Sequence, residues 1–173
     1  RIEKLILDHN MDHIFIRPSY FMQNLITTLI NDVKEHQNIV LPAGKTTFNW
    51  VDAENVGEVA AILLNDFSRY KNQTYEVTGY ENKNFYEVAR QLSEMTGRTI
   101  KYTNMNPVSF FKYRKKEGMK KEKILVLIML HFFPRFQKQP VISSLYEHLT
   151  GKWPTTLQEF IEREKAYLFP NIP

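Results

Sequence analysis

Four polar side chains stand out by type and placement. Tyr20, Gln23 and Asn24 sit at the end of IFIRPSYFMQN (14–24), and His131 lies inside the apolar run ILVLIMLHFF (124–133). A phenol and two amides can orient a polar ligand, and an imidazole can exchange a proton near neutral pH. The first half of the segment, HIFIRP, reads as a short buried strand that Pro18 closes, because proline cannot donate to a ladder. In an α/β protein, ligands sit beyond the carboxyl ends of strands. Residue type alone assigns Tyr20 and Phe21 to core packing. It assigns His131 to a satisfied core or pocket-wall position. Asp52, between TFNWV and a helical pattern, has the placement of a helix cap.

Several chemistries are excluded or unsupported. The six glycines, at 44, 57, 79, 97, 118 and 151, are too far apart for a G-x-G-x-x-G or a phosphate-binding loop. The chain has no cysteine, which removes disulfides and thiolate zinc sites and fits a reducing cytoplasm. The five histidines are scattered, with no H-E-x-x-H, so no metal is expected. No G-x-S-x-G elbow occurs. No apolar run approaches the ~20 residues that span a bilayer, and RIEKLILDHN is no signal peptide. No membrane association is expected.

The net charge of +4 is concentrated. KYRKKEGMKKEK (112–123) carries seven basic and two acidic residues, so the remainder of the chain sums to −1. A nucleic-acid domain spreads its positive charge over a face. This run reads instead as a solvated helix end and loop, and no nucleic-acid partner is expected. The chain starts at Arg1 within a helical pattern, and the expectation is that it forms the C-terminal part of a longer protein.

The elements that must position these residues follow from periodicity. Ile2, Leu5 and Ile6 predict the end of a helix stopping near Asn10. Phe21, Leu25, Ile26, Leu29, Ile30 and Val33 predict a helix after the first strand. NIVLPAGKTTFNWV is extended around a Pro-Ala-Gly turn. DAENVGEVAAILLND is helical, with Val56, Val59, Ala60 and Leu63 on one face. QTYEVTG and TIKYTNM are strands. Between them NKNFYEVARQLSEMTG is a helix, with a capping box of Asn84 and Glu87 and a terminal Gly97. Pro107 opens a helix through the basic run, and an apolar helix follows from Ile124. PVISSLYEHLTG is a short helix ending at Gly151. The last helix, PTTLQEFIEREKAYL, has Thr156 and Glu159 as a second capping box. The pattern is α/β in front with an α-rich tail.

Four blocks carry a family resemblance. DHIFIRPSYFMQNL resembles a strand followed by R-P-x-x-F-M-x-N. LPAGKTTFNWVDAENVGEVAAILL, QTYEVTGYENKNFYEVARQLSEMTGRTIKY and LYEHLTGKWPTTLQEFIERE follow in order. Together they resemble the C-terminal half of the NmrA-like, atypical short-chain dehydrogenase/reductase family. The weakest match is 107–140.

The resemblance implies the C-terminal part of a Rossmann-type parallel-sheet domain, with a smaller, mainly helical substrate lobe. Residues 1–80 would supply terminal strands and helices of the Rossmann-type domain, and 81–173 the α-rich lobe, the two interleaved. The glycine-rich loop would belong to an N-terminal half preceding Arg1. The cofactor implied is NAD(P)(H). Pro18, Ser19, Tyr20 and Phe21 would meet its nicotinamide end, and Met22, Gln23, Asn24 and His131 would border the substrate. The Tyr-x-x-x-Lys pair of extended reductases is not matched by RIEKLILD, so no catalytic residue is assigned. The implied activity is reduction of a small acceptor, quinone-like or otherwise conjugated. The alternative is a non-catalytic NAD(P) sensor acting on a regulated protein.

Overall fold

The computed structural model describes residues 2–169. In chain order the first elements are α1 (Ile2–Asp8), β1 (Ile14–Pro18), β2 (Tyr20–Phe21), a 3-10 turn (Met22–Leu25), α2 (Ile30–Lys34), β3 (Asn38–Leu41) and β4 (Phe48–Val51). Next come α3 (Ala53–Asn65), α4 (Phe67–Tyr70), β5 (Gln73–Val77), β6 (Glu81–Lys83), α5 (Phe85–Thr96) and β7 (Lys101–Asn104). The rest is helical: α6 (Pro107–Lys116), α7 (Lys121–Phe132), a 3-10 turn (Phe133–Phe136), α8 (Leu145–Thr150) and α9 (Leu157–Leu168).

Three small sheets result. β1 pairs with β5 in parallel, from Ile14 opposite Gln73 to Pro18 opposite Val77. β3 pairs with β7 in parallel. β4 lies between β2, which is parallel to it, and β6, which is antiparallel. The chain therefore changes sheets at Ser19, whose amide still donates to Val77 O at 3.0 Å. That change turns the backbone away from β5 just where β1 ends.

Two hydrophobic clusters interleave along the chain. The larger gathers Met22, Leu25, Leu29 and Val33 with β3, Trp50, α5, Phe110, Ile124 and the apolar face of α9. The smaller holds Val51, Val59, Leu63, Val77 and Tyr146, with Ile14, Ile16 and Phe21 packed against it. Both capping boxes form, at Asn84–Glu87 and at Thr156–Glu159, and Gly97 closes α5 in the left-handed region at φ 68°. Gly79 is required for a different reason. A Cβ there would lie 1.5 Å from Trp50 O, so only glycine lets the end of the β5 segment pass β4.

Three expectations are corrected. No continuous helix runs from Phe21 to Val33. Phe21 pairs with Val51 as strand, Thr27 Oγ1 donates to Gln23 O at 2.8 Å, and regular helix begins only at Ile30. Threonine hydroxyls compete for backbone acceptors in this way. The apolar spacing still holds, since Met22, Leu25, Leu29 and Val33 are all buried. β1 is not a buried strand: Ile14, Phe15 and Ile16 are half-buried and Arg17 and Pro18 exposed, because among the described residues it pairs only with β5. The basic run is not wholly solvated either. Arg114 is buried, and its guanidinium holds both carboxylate oxygens of buried Asp32 and also donates to Val40 O at 3.0 Å.

Candidate functional site

The site begins where β1 stops. Pro18 is exposed at the strand end, and Ser19 is half-buried in the crossing to β2. Tyr20 then places its ring among Trp50, Phe48 and His131, with centroids 4.8, 5.1 and 5.6 Å away. Phe85 closes the far side at 6.0 Å. These rings are edge-on or tilted to one another, the arrangement that aromatic quadrupoles favour.

The imidazole is fixed from both nitrogens. His131 Nδ1 donates to Leu127 O at 2.7 Å, one turn earlier on α7. Nε2 is thereby left as an acceptor, and Tyr20 Oη donates to it at 2.9 Å. Burial pushes the His131 pKa down to about 4, so the ring is neutral near pH 7. Burial also pushes the Tyr20 hydroxyl well above its ordinary range. The pair is neutral and mutually satisfied, with no charge of its own.

Gln23 and Asp52 form a second unit. Gln23 Nε2 donates to Asp52 Oδ1 at 2.6 Å, and Gln23 Oε1 accepts the Ala53 amide at 3.0 Å. Asp52 caps α3 through the Glu54 amide, as its position in the sequence predicts. Burial disfavours its charge, but hydrogen bonds from Arg163, Gln23 and the Glu54 amide outweigh that and hold its carboxyl below the usual range. Arg163, from α9, lies 2.8 Å from Asp52 Oδ2. Sequence reasoning gave Arg163 no role, since nothing in an amphipathic helix marks which charge folds back on a cap 111 residues earlier.

The predicted residues thus divide. Pro18, Ser19, Tyr20 and His131 come together around the end of β1, with Asn24 half-buried nearby in the turn. Gln23 faces the α3 cap. Phe21 packs against the smaller cluster. Met22 is fully buried in the larger core. Phe48, Trp50 and Phe85 complete the wall. Their contribution is invisible in sequence, because aromatic residues in strands and helices read as ordinary core.

The helices offer no ready anion grip at four of their N-termini. Asp52, Asn84, Asn106 and Thr156 cap α3, α5, α6 and α9 with their own side chains. Among the described residues no helix is long and apolar enough to cross a membrane.

A sequence model of the NmrA-like family matches residues 1–161. The prestalk A differentiation protein A of Dictyostelium discoideum is 24% identical over 160 residues, covering 92% of this chain and 53% of that protein. The structure of an NADPH-dependent quinone oxidoreductase from Escherichia coli, complexed with NADPH, superposes with TM-score 0.84 at 19% identity. It is matched over 93% of this chain and 56% of its own. The triphenylmethane reductase of Citrobacter sp., complexed with NADP(H), superposes with TM-score 0.79 at 19% identity, over 93% of this chain and 56% of its own. At these identities the structural likeness shows the fold, a Rossmann-type α/β arrangement. The chain spans about half the length of the relatives it matches.

Proposed function

The chain belongs to the NmrA-like family, and from that premise we propose that it forms the nicotinamide-side and substrate-side part of an NAD(P)H-dependent oxidoreductase. The observation that carries this reading is the sheet change at Ser19. β1 runs with β5 up to Pro18, and two residues later the chain runs with β4. A crevice where neighbouring strands part at their carboxyl ends is the ligand position of open α/β folds.

The residues present fit one end of the cofactor and not the other. Pro18 is exposed and Ser19 half-buried, so the strand end is accessible, and Tyr20, Phe48 and His131 form an apolar, neutral wall beside it. Four capped helix N-termini and the scattered glycines provide no pyrophosphate grip, which we assign to residues outside this chain. Bound there, the nicotinamide would supply a hydride. This chain's own part is to position the reactants and keep water away. Tyr20 and His131 hold each other's polar atoms and leave an aromatic surface for a small conjugated acceptor, such as a quinone. The quinone oxidoreductase and triphenylmethane reductase that share the fold support that acceptor class.

A second reading is favoured by one feature. Burial raises the Tyr20 pKa and lowers that of His131, so both are held uncharged and neither is poised as a general acid or base. A dinucleotide sensor acting on a partner protein needs no such group, and one relative is named as a differentiation protein.

The two readings separate by assay of a protein joining this chain to a glycine-rich nucleotide-binding half. Consumption of NADPH or NADH is followed with a panel of quinones. Turnover that drops severalfold in Ser19→Trp, which places a bulky ring at the accessible strand end, supports the oxidoreductase reading. Tight dinucleotide binding without turnover on any acceptor replaces it with the sensor.

A further inference from the structure

A cavity of about 380 Å3 lies between the β3–β4 loop and the segment after α7. Lys45, Arg135 and Lys138 line it, with the side chains of Thr46 and Thr47, and no carboxylate does. Among the described residues none of these three cations forms an ion pair. Three like charges facing one concavity repel one another, and an anion bound between them relieves that repulsion.

The cations are brought together by specific packing. Gly44 adopts φ +61°, and Arg135 lies so close over it that a Cβ would be 3.0 Å from Nε. The Arg135 guanidinium also sits over the Phe132 ring, 5.3 Å from its centroid. On the other side, the Gly44 amide donates to Asn104 Oδ1 at 2.9 Å, and the Thr46 amide to Ala43 O at 3.2 Å. The loop is therefore tied to β7 and turned toward the arginine. A planar guanidinium held in this way suits two oxygens of one oxyanion, and the lysines add point charges.

Along the chain, two segments that line the cavity lead directly to the aromatic wall. Thr47 immediately precedes Phe48, whose ring is 5.1 Å from Tyr20 and 6.0 Å from His131. Arg135 follows His131 by four residues in the turn that ends α7. We propose that this cavity binds an oxyanion (carboxylate, phosphate or sulfonate) carried by the acceptor, whose conjugated part rests against Tyr20. The substrate class is thus an anionic conjugated molecule. This deepens the oxidoreductase reading and rests on it for the word acceptor, whereas the anion site stands by itself.

The test uses anthraquinone-2-sulfonate, neutral menadione and inorganic phosphate. Binding to the chain is measured by calorimetry, with amide chemical shifts to locate it. The sulfonate should bind more tightly than menadione, shift amides in 45–47 and 135–139, and weaken as salt is raised. The variant carrying Lys45→Gln, Arg135→Gln and Lys138→Gln should lose at least about tenfold in sulfonate affinity, with menadione unaffected. Its melting temperature should not fall below the parent's, since all three side chains are exposed and their mutual repulsion is removed. Equal affinity in parent and variant, or shifts elsewhere, overturns the site. Phosphate binding as tightly as the sulfonate overturns the assignment to an acceptor. Sulfonate binding here with no reduction of the sulfonate or of any quinone in the panel by the longer protein refutes the oxidoreductase reading and leaves the anion site standing. Reduction with a KM indifferent to the sulfonate does the reverse.

Discussion

Tyr20 and His131 show how a hydrogen bond decides what a residue type can do. Histidine near its ordinary pKa of about 6.5 would be a proton exchanger. Here desolvation brings it to about 4, and both ring nitrogens are engaged. The linkage has a definite sign. Between pH 4 and 6.5 the unfolded chain binds a proton at this residue that the folded chain does not, so stability rises with pH across that window and is independent of this group above it. The displacement corresponds to about 3 kcal/mol, an order of magnitude for so buried a ring. Thermal melts from pH 4 to 7 should therefore show a steeper acid loss in the parent than in His131→Gln, and parallel curves would refute the assignment. Tyr20→Phe removes the donor to Nε2 and leaves a buried acceptor unpaired, which should lower stability by about 1–3 kcal/mol in urea melts. An unchanged midpoint would mean that water replaces the hydroxyl.

At the scale of elements, one buried ion pair fastens the helical part to the sheet. Asp32 in α2 accepts from Arg114 in α6 and from the Val40 amide in β3, the latter at 2.9 Å. Glu117 takes a further Arg114 proton at 2.9 Å. Removing one partner strands the other charge, so Arg114→Met or Asp32→Leu alone should cost about 3–5 kcal/mol, and the double replacement distinctly less than the sum. Additive costs in a double-mutant cycle would show that the two charges are not coupled. Neither residue was legible as a core group. Arg114 is embedded in KYRKKEGMKKEK, and charge runs are ordinarily solvated. What was legible depended on local signals. The Asn84 and Thr156 boxes, Gly97, Pro107 and the QTYEV strand are each specified within a few residues, and all form. Two-residue β2 and three-residue β6 are too short to leave a period, and they exist because β4 lies between them. The strand-end candidates Pro18, Ser19 and Tyr20 were found through a resemblance. Residue type alone pointed Tyr20 and Phe21 to core, and Phe21 does pack against the smaller cluster.

At the scale of the whole molecule, one face is left without a partner. β1 pairs on one side only among the described residues, and its other edge presents unpaired backbone groups. Beside it α1 buries none of its residues. Ile2 is 77% exposed, Leu5 60% and Leu7 52%, and Glu3 ties the helix to Arg17 of β1. An open strand edge next to apolar side chains is a template for pairing with another chain. The proposed function gives this face a destination, because a Rossmann-type sheet continues with further parallel strands. The chain by itself has nothing to lay there but another copy. Light scattering on the 20.6 kDa chain should accordingly show species larger than a monomer, growing with concentration. Leu5→Glu with Ile2→Lys should return it to a monomer without lowering its melting temperature, since neither side chain is buried in the fold. A parent that stays monomeric throughout would show that water tolerates the edge as it stands. An associating parent that the two charges do not disperse would move the contact to the other exposed apolar face, Leu125, Met129 and Phe133 on and after α7. The two faces differ in surroundings. The α7 face begins beside Lys120, Lys121 and Lys123, whereas on the α1 face Glu3 is paired with Arg17 and Asp8 with Lys4, so added salt would strengthen association mainly through the cationic α7 rim and leave the α1 contact little changed.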